Sequence, residues 1–463
     1  MLRVFAPAVL LSFPHGVGRL LIFSYLESVH LMLPTRTNAL LPQAGRLTLA
    51  ALLLLGIAAA PTVHAQGYTL KTLASFSGAN GLSPLAGLAI SGGSLYGTTY
   101  QGGANGFGEV FSVPITGGAP TTLASFSIAS GVNPSGSLAI SGGMIYGTTP
   151  AAGAHGYGTV FSVPTTGGAL TTLTDFTGSK GNGGGSYTGL TVSGTTLYGT
   201  AQGGTNGAYG EVFSLPTTGG APTVLMSFPY SAGVAPYGIT PNSGLLLSGG
   251  ILYGVTETGG PQYGGVGTVY SLPVTGGSPT VLAAFTGTTA PMPYGNLTLS
   301  GNTLYGTTRQ GGSSSNGTVF SVPITGGKPT TLAEFSGKNG SSPTGGLVLV
   351  DGTLFGTTTA GGPFDSGEVF SVPVTGGTPT VLAQFNQNKG YQFGIYPEGN
   401  LIYSDGVFYG TTSQAGDGAD GTVFALVPNG APVPEASSLI SFGLLLIGGL
   451  GGLALRARRR AAA

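Results

Sequence analysis

Apolar and polar residues follow a repeating pattern through most of this chain. One unit contains four short segments rich in Leu, Val, Ile, Phe, Tyr and Thr, at residues 136–140, 144–149, 158–163 and 170–176. Segments of this length and composition predict β-strands, and apolar residues on both faces are typical of a sheet that is covered on both sides. Glycine pairs such as Gly142 and Gly143 separate the segments, as tight hairpins require. The unit is therefore predicted to be a four-stranded antiparallel sheet.

The second segment of each unit carries the most regular motif, an apolar residue followed by an aromatic residue, a glycine and, in most copies, two threonines. The aromatic residues of the seven copies are Tyr96, Tyr146, Tyr198, Tyr253, Tyr305, Phe355 and Tyr409. Their spacing averages about 52 residues. A period near 50 residues is typical of four-stranded propeller blades of the kelch type, whereas solenoid coils repeat at shorter intervals. The sequence thus predicts an all-β chain that folds as a seven-bladed β-propeller over residues 66–430.

The order of the segments at the two ends of this region predicts how the ring closes. The region begins with a fourth strand at residues 69–76 and ends with a third strand at residues 421–427. We expect the N-terminal strand to complete the last blade, because this pairing removes the open sheet edges. The alternative is an open β-solenoid, which needs polar capping units that the sequence lacks.

The recurring motifs also resemble a known family. The pattern LYGTTxxGG, followed by a GxVFSVP segment and a TTLAxF segment, resembles the GloVer tandem repeat of bacterial surface proteins over residues 68–428. The resemblance implies a repeat architecture and a surface location, without an assigned biochemical activity. The chain contains no tryptophan, unlike true kelch units, so kelch functions are not carried over.

Residues 1–65 carry the pattern of an export signal. An apolar run at residues 47–60 follows two arginines and precedes the small residues of a cleavage site that ends at Ala65. This order predicts a secretory signal peptide, and Met32 would give that peptide an ordinary length. The alternative is a first transmembrane helix, which about 14 apolar residues are too few to form.

The C-terminus predicts a membrane anchor. A linker at residues 431–438 leads into an apolar span at residues 439–455 and a basic tail at residues 456–463, which is expected to stay in the cytoplasm. The order of motif, apolar helix and arginine tail resembles the PEP-CTERM sorting signal of Gram-negative bacteria, which implies processing by an exosortase. A plain single-span tail is the alternative. The motif residues are Val433, Pro434 and Glu435, and the arginines are Arg456, Arg458, Arg459 and Arg460.

Charge and cysteine content exclude several classes of function. The chain has 14 Lys and Arg residues against 14 Asp and Glu residues, and only 6% of its residues are charged. A nucleic-acid partner is not expected, because such proteins need a basic surface that displaces phosphate counterions. Cysteine is absent, so neither disulfides nor thiolate metal sites can form.

Histidine and aspartate patterns give no sign of catalysis or metal binding. His155 is the single histidine of the repeat region and stands in a glycine-rich segment without an adjacent nucleophile. Asp417 and Asp420 could offer oxygen ligands to Ca²⁺, but they lack the spacing and terminal glutamate of a calcium loop. The sequence predicts no catalytic residues, no metal site and no cofactor.

Three glutamates occupy one repeat position, at Glu109, Glu211 and Glu368, where the other copies carry threonine. Equivalent positions in different blades are spread around the ring, so these carboxylates are not expected to form an acid pair. We expect them to form a solvated strand edge instead.

Loop length predicts where a ligand would bind. Two of the four connections in each unit are short turns, and the other two are long and varied, so one end of the ring should carry elaborated loops. Aromatic rings beside neutral hydrogen-bonding groups suit sugars, and they also suit protein contacts. Packing of these rings within their own loops is the simpler alternative. The candidate ligand-binding residues are Tyr187, Tyr237, Tyr263, Tyr294, Tyr391 and Tyr396.

These observations favour an exported, surface-anchored, non-enzymatic binding or structural module, with exopolysaccharide as its expected contact. The first alternative is an extracellular carbohydrate-active enzyme. The second is an adhesin or spacer whose partner is a surface protein.

Overall fold

The computed structural model describes the repeat region and little of the two ends. The described residues are 67–429 without 179–182, 205–207, 232, 262–264, 288–290 and 387–392, together with the backbone of four N-terminal strands. Residues 1–59 form a separate unit in which Val9–Leu11, Leu20–Tyr25 and Ser28–His30 make an antiparallel sheet.

Most of the predicted N-terminal signal and the whole predicted C-terminal anchor lie outside the residues that the structure describes. The apolar run at 47–60, the motif at 433–435, the span at 439–455 and the arginine tail all lie outside the described residues. In the part of the chain that is described, no helix is long and apolar enough to cross a membrane.

The repeat region forms seven blades, each a four-stranded antiparallel sheet whose strands follow one another in chain order, as predicted. Blades 1 to 3 consist of Ala89–Ser91, Ser94–Thr99, Glu109–Pro114 and Thr121–Ser125; Ala139–Ser141, Met144–Thr149, Thr159–Pro164 and Thr171–Asp175; and Thr191–Ser193, Thr196–Ala201, Glu211–Pro216 and Thr223–Ser227. Blades 4 to 6 consist of Leu246–Ser248, Ile251–Thr256, Thr268–Pro273 and Thr280–Ala284; Thr298–Ser300, Thr303–Thr308, Thr318–Pro323 and Thr330–Glu334; and Val348–Val350, Thr353–Thr358, Glu368–Pro373 and Thr380–Gln384.

Blade 7 takes its strands from both ends of the repeat region. Ile402–Ser404, Val407–Thr412 and Thr422–Pro428 are joined by Tyr68–Ser75, and Val63–Ala65 adds a fifth strand outside it. This pairing confirms the predicted closure by the N-terminal strand, and the open solenoid is wrong. The closing ladder is also longer than the others, with seven paired positions where blade 2 has four between its third and fourth strands.

Aromatic pairs join every blade to the next. A phenylalanine that follows the fourth strand of one blade packs edge to face on the aromatic ring in the third strand of its neighbour, with ring centroids 4.9 to 5.4 Å apart. Such geometry is favourable beyond the apolar area that it buries. The seven pairs are Phe76–Phe111, Phe126–Phe161, Phe176–Phe213, Phe228–Tyr270, Phe285–Phe320, Phe335–Phe370 and Phe385–Phe424.

The first threonine of the repeated motif also links neighbouring blades. The Thr148 hydroxyl donates to the carbonyl oxygen of Thr188 in blade 3 at 2.9 Å. The equivalent Thr411 donates to the carbonyl oxygen of Ala86 at 3.0 Å and so connects blade 7 to blade 1. These buried hydrogen bonds hold the entry to the first strand of the next blade in place.

The two ends of the ring differ as predicted. Short turns join the first strand to the second and the third to the fourth, and we call the end that carries them the turn face. Gly142 and Gly143 form one such turn with φ values of 56° and 75°, which glycine adopts without steric cost. The connections from the second strand to the third, and from blade to blade, lie at the opposite end, the loop face. There Ala235–Ile239 pairs with Thr258–Gly260, and Ile128–Ser130 forms a 3₁₀ turn.

Candidate binding site on the loop face

A cavity of about 670 Å³ lies where the seven blades meet at the loop face. Each blade contributes the segment that leads into its first strand, and this arrangement follows from the blade order, since the first strands are innermost. The contributing segments are residues 85–87, 135–137, 187–189, 242 and 244, 294–296, 342 and 344, and 398–400.

The deepest lining residues are small because neighbouring blades touch there. A Cβ atom on Gly136 would lie 2.2 Å from the carbonyl oxygen of Thr188, so only glycine fits at that position. The side chain of Asn296 extends from blade 5 to blade 4, where its Oδ1 accepts a hydrogen bond from the amide of Gly244 at 2.7 Å. Asn400 accepts the amide of Gly346 in the same way. The base of the cavity is therefore made of backbone and amide groups without formal charge.

The rim of the cavity is set by a repeated backbone bridge. In five of the blades, the residue after the second strand donates its N–H to the connection that precedes the first strand of the same blade. Tyr100 donates to the carbonyl of Ser83 at 3.0 Å, and Arg309 donates to that of Met292 at 2.7 Å. Ser83 has a φ of 53°, a left-handed conformation that turns the connection toward the axis. The bridge places the side chains of Tyr100, Arg309 and Thr359 at the rim.

One sector of the rim carries charge. The Arg309 guanidinium lies 5.8 Å from the centroid of the Tyr294 ring, a cation–π arrangement. Burial raises the pKa of Tyr294, and the carboxylate of Glu257 raises it further, while Arg309 opposes both. Burial also raises the pKa of Glu398, against the hydroxyl of Ser413 and the charge of Arg309. Neighbouring charges therefore influence the pKa values of Tyr294 and Glu398, whereas the rest of the cavity lining carries no formal charge.

A groove of about 390 Å³ between blades 2 and 3 continues from the cavity. Tyr187 and Gln202 line both. The Tyr157 side chain is 48% exposed and that of Tyr187 is 44% exposed. The Tyr157 ring rests on glycine, since a Cβ atom at Gly178 would lie 2.6 Å from its Cζ. The groove therefore presents two exposed rings on a largely glycine surface.

The predicted ligand-binding tyrosines fall into three groups. Tyr187 and Tyr294 line the cavity. Tyr237 is half-buried and packs against the hydrophobic cluster between blades 3 and 4, and Tyr396 is half-buried with a left-handed φ of 59°. Tyr263 and Tyr391 lie outside the described residues. The structure thus brings two of the six together at one cavity.

Several lining residues were not among the sequence candidates. Most of them immediately follow the second strand, directly after the repeated motif, where the copies differ most in side-chain type. That divergence beside a constant motif is the signal that could have found them. These residues are Gln202, Arg309 and Thr359, whereas Tyr100 at the cavity and Tyr157 at the groove are aromatic residues of the loops that the sequence assigns to the elaborated face.

The expectation of a solvated edge at Glu109, Glu211 and Glu368 is wrong. These side chains are only 2%, 1% and 0% exposed, because the loop after the second strand folds over them. Glu109 accepts the amide of Ala104 in that loop at 3.1 Å. In blade 2, which has threonine at this position, Asp175 on the facing strand accepts the equivalent amide at 2.7 Å. Glu109 and Asp175 thus each hold the loop of their own blade in place.

The other residues that could take part in catalysis or metal binding do not form a site. His155 is exposed on the loop of blade 2. Among the described residues, no group of three or more His, Cys, Asp or Glu side chains could hold a metal ion, Asp417 and Asp420 included.

The class that the fold defines is a closed β-propeller built from tandem repeats, with one elaborated face that can serve as a binding or structural surface. The chain belongs to the Gloeobacter/Verrucomicrobia repeat family, whose model matches residues 61–266 and 240–448. This match covers nearly the whole propeller and confirms the resemblance that the repeated motifs gave.

Several solved structures match the chain at low similarity. The chain is 14% identical to a chain of a nidogen–laminin complex, covering 61% of this chain and 92% of that one with a TM-score of 0.39. A gluconolactonase from Xanthomonas campestris gives 14% identity over 79% and 91%, with a TM-score of 0.39. A puromycin-hydrolysing peptidase from Mycobacterium tuberculosis gives 13% over 72% and 50%, with a TM-score of 0.45. Likeness at this level carries no functional information, and no curated protein matches the chain.

Proposed function

We propose that this protein is an exported, surface-anchored, non-enzymatic module that binds neutral polysaccharide on its loop face. The observation that carries the proposal is the groove with its two exposed rings, Tyr157 and Tyr187, which opens into the central cavity through Tyr187 and Gln202.

The chemistry of this surface suits sugar rings. A pyranose presents an apolar C–H face, which stacks on an aromatic ring, and hydroxyl groups, which need donors and acceptors at its edge. Gln202 supplies an amide beside Tyr187, and the glycines of the groove leave backbone N–H and C=O groups within reach of a ligand. None of the described groove residues is charged, which favours a neutral glycan.

The placement of the carboxyl groups supports a role without catalysis. Hydrolysis of a glycosidic bond needs two carboxyl groups that face each other across about 5–9.5 Å. Glu109, Glu211 and Glu368 are instead buried in separate blades, where Glu109 holds a loop amide. Glu398 on the cavity wall has a raised pKa and is the residue that favours the alternative, a carbohydrate-active enzyme.

Export and anchoring rest on the sequence of the two ends. The apolar run before Ala65 and the apolar span at residues 439–455 with its arginine tail support a route across the membrane followed by retention at its outer face. An exosortase would process the C-terminal signal if the PEP-CTERM resemblance holds.

The binding site can be tested by electrophoresis of the purified chain through gels that contain neutral glucans, mannans or xylans. We expect one polymer to retard the protein, and Tyr157→Ala and Tyr187→Ala each to weaken binding about tenfold through lost stacking. Tyr403→Ala is the matched control, because Tyr403 is 39% exposed but lies beside a turn on the other face.

Either of two results would contradict the proposal. Migration that no polymer changes would exclude glycan binding and leave a protein partner as the explanation of the loop face. New reducing ends released from a bound polymer, and abolished by Glu398→Gln, would show instead that the protein is an enzyme.

A further inference from the structure

We propose that Tyr209 and Tyr230 form a second aromatic platform beyond the groove, so that the ligand is an extended polysaccharide chain bound along several internal sugar units. This inference rests on the proposed function and specifies the kind of carbohydrate that the loop face takes.

The two rings form a pair that faces solvent. Their centroids are 5.1 Å apart and their planes meet at 60°. Tyr209 is 49% exposed and Tyr230 is 46% exposed. The seven aromatic pairs between blades have the same edge-to-face geometry but are buried, so this pair does not serve the core. A contiguous exposed aromatic surface is one of the features that mark a ligand-binding groove.

Exposed tyrosines are concentrated in one sector of the ring. Tyr157, Tyr187, Tyr209 and Tyr230 are four of the five most exposed tyrosines among the described residues, and Tyr403 is the fifth. The four come from successive loop-face connections, from the loop of blade 2 to the connection between blades 3 and 4. A row of this kind is suited to a linear ligand.

The backbone around the pair is held by hydrogen bonds. The Tyr209 amide donates to the carbonyl oxygen of Phe228 at 3.0 Å, and the Phe228 amide donates to that of Gly210 at 2.8 Å. The Thr240 amide donates to the carbonyl oxygen of Tyr209 at 3.0 Å. Because these bonds hold the backbone of Tyr209 against the connection between blades 3 and 4, little backbone entropy is lost when a ligand binds to its ring.

The pair is next to the groove along the chain. Ala208 lines the groove, and Tyr209 follows it directly. The methyl side chain of Ala208 is small, so a glycan that leaves the groove past this residue meets the Tyr209 ring next. A single sugar covers one ring at a time, whereas a longer chain covers Tyr187 and the outer pair together. Binding should therefore strengthen with chain length.

Isothermal titration with oligosaccharides of the polymer that retards the protein, from the disaccharide to the octasaccharide, tests this proposal. In the unaltered chain we expect the octasaccharide to bind at least about tenfold more tightly than the disaccharide, because additional rings are covered. Tyr230→Ala should remove that gain and leave the disaccharide affinity unchanged. Tyr187→Ala should weaken both, Tyr230→Phe should retain the gain, and Tyr403→Ala should change neither.

The outcomes separate the two proposals. Glycan binding whose strength does not depend on length, or a gain with length that survives Tyr230→Ala in a variant with unchanged thermal unfolding, overturns the second platform and leaves the groove in place. Failure of every polymer and oligosaccharide to bind overturns the proposed function and the platform together.

Discussion

Tyr270 occupies the third-strand position at which the other six blades carry phenylalanine. Its ring makes the same edge-to-face contact, with Phe228, but its hydroxyl is buried and has no hydrogen-bond partner among the described residues. Burial strongly raises the pKa of Tyr270. The ring serves the core, and the hydroxyl costs stability, because a buried donor has lost its hydrogen bonds to water.

Replacement of Tyr270 by phenylalanine should therefore stabilise the protein. We expect Tyr270→Phe to raise the free energy of unfolding by about 1 kcal/mol, the usual cost of a buried unpaired polar group. Urea unfolding followed by circular dichroism measures the change. The reciprocal variant Phe320→Tyr should lose a similar amount, and an unchanged or lower stability of Tyr270→Phe would show that the hydroxyl has a partner such as ordered water.

Glu368 shows a second effect of burial on a single residue. One carboxyl oxygen accepts a hydrogen bond from Gln384 at 3.3 Å, and the other has no partner among the described residues. Burial raises the pKa of Glu368 from 4.5 to about 7. The folded protein therefore holds a proton that the unfolded chain releases, and stability falls as pH rises between these two values.

The sign of this pH dependence is testable. The melting temperature of Glu368→Gln minus that of the unaltered protein should increase from pH 4.5 to about pH 7 and level off above it, since glutamine carries no charge to bury. Glu334→Gln is the contrasting control, because hydrogen bonds from Ser313 lower the pKa of Glu334. Loss of that carboxylate should matter only above its lowered pKa. Parallel curves for the unaltered chain and Glu368→Gln would contradict the assignment.

The second strand of each blade shows why the repeated motif is so regular. In blades 2, 3, 5 and 7 its first threonine bonds to the connection that enters the next blade, as the Thr148 hydroxyl does to the Thr188 carbonyl. Its second threonine stays within the blade, where Thr149 Oγ1 accepts the amide of Thr159 at 3.0 Å. The glycine before them packs under a phenylalanine ring of the third strand. One strand thus supplies contacts within a sheet and between sheets.

Strands of this kind could be predicted from the sequence, whereas the contacts that some residues make with loops and neighbouring blades could not. Strands, hairpin glycines and blade number follow from local periodicity, and these predictions are confirmed. The burial of Glu109 could not be predicted, because it depends on a loop that folds back over the strand. Tyr237 likewise packs on a cluster built from two blades, which no single repeat reveals.

At the scale of the whole molecule, ring closure decides which residues meet. Gln202 and Arg309 occupy equivalent repeat positions, far apart in the chain, and they line one cavity only because the seven blades form a ring. Repeat alignment shows their equivalence but not their convergence on an axis. The sequence therefore predicted which face should bind, while the assembly of the cavity needed the closed structure.

Closure itself depends on one strand. Tyr68–Ser75 pairs with Thr422–Pro428 along seven positions, and Phe76 packs on Phe111 of blade 1 with ring centroids 4.9 Å apart. Leu70 is fully buried in the cluster that joins blades 6 and 7. The ring therefore closes through the same kinds of contact that join other neighbouring blades, together with a longer strand ladder. The longer ladder is expected because the two paired strands, Tyr68–Ser75 and Thr422–Pro428, are not joined by a short turn.

Removal of the closing strand should open the ring. Deletion of residues 66–77 is expected to lower the melting temperature sharply, because blade 7 loses its fourth strand and blade 1 loses the Phe76 contact. The milder Leu70→Ala should cost about 2–5 kcal/mol in the free energy of unfolding, as truncations in packed cores do. A chain that begins at residue 66 is the control, since it lacks only the outermost strand and the segment before it. Equal melting of the deletion and the control would mean that the closing strand does not hold the ring together, and that each blade is stable without closure.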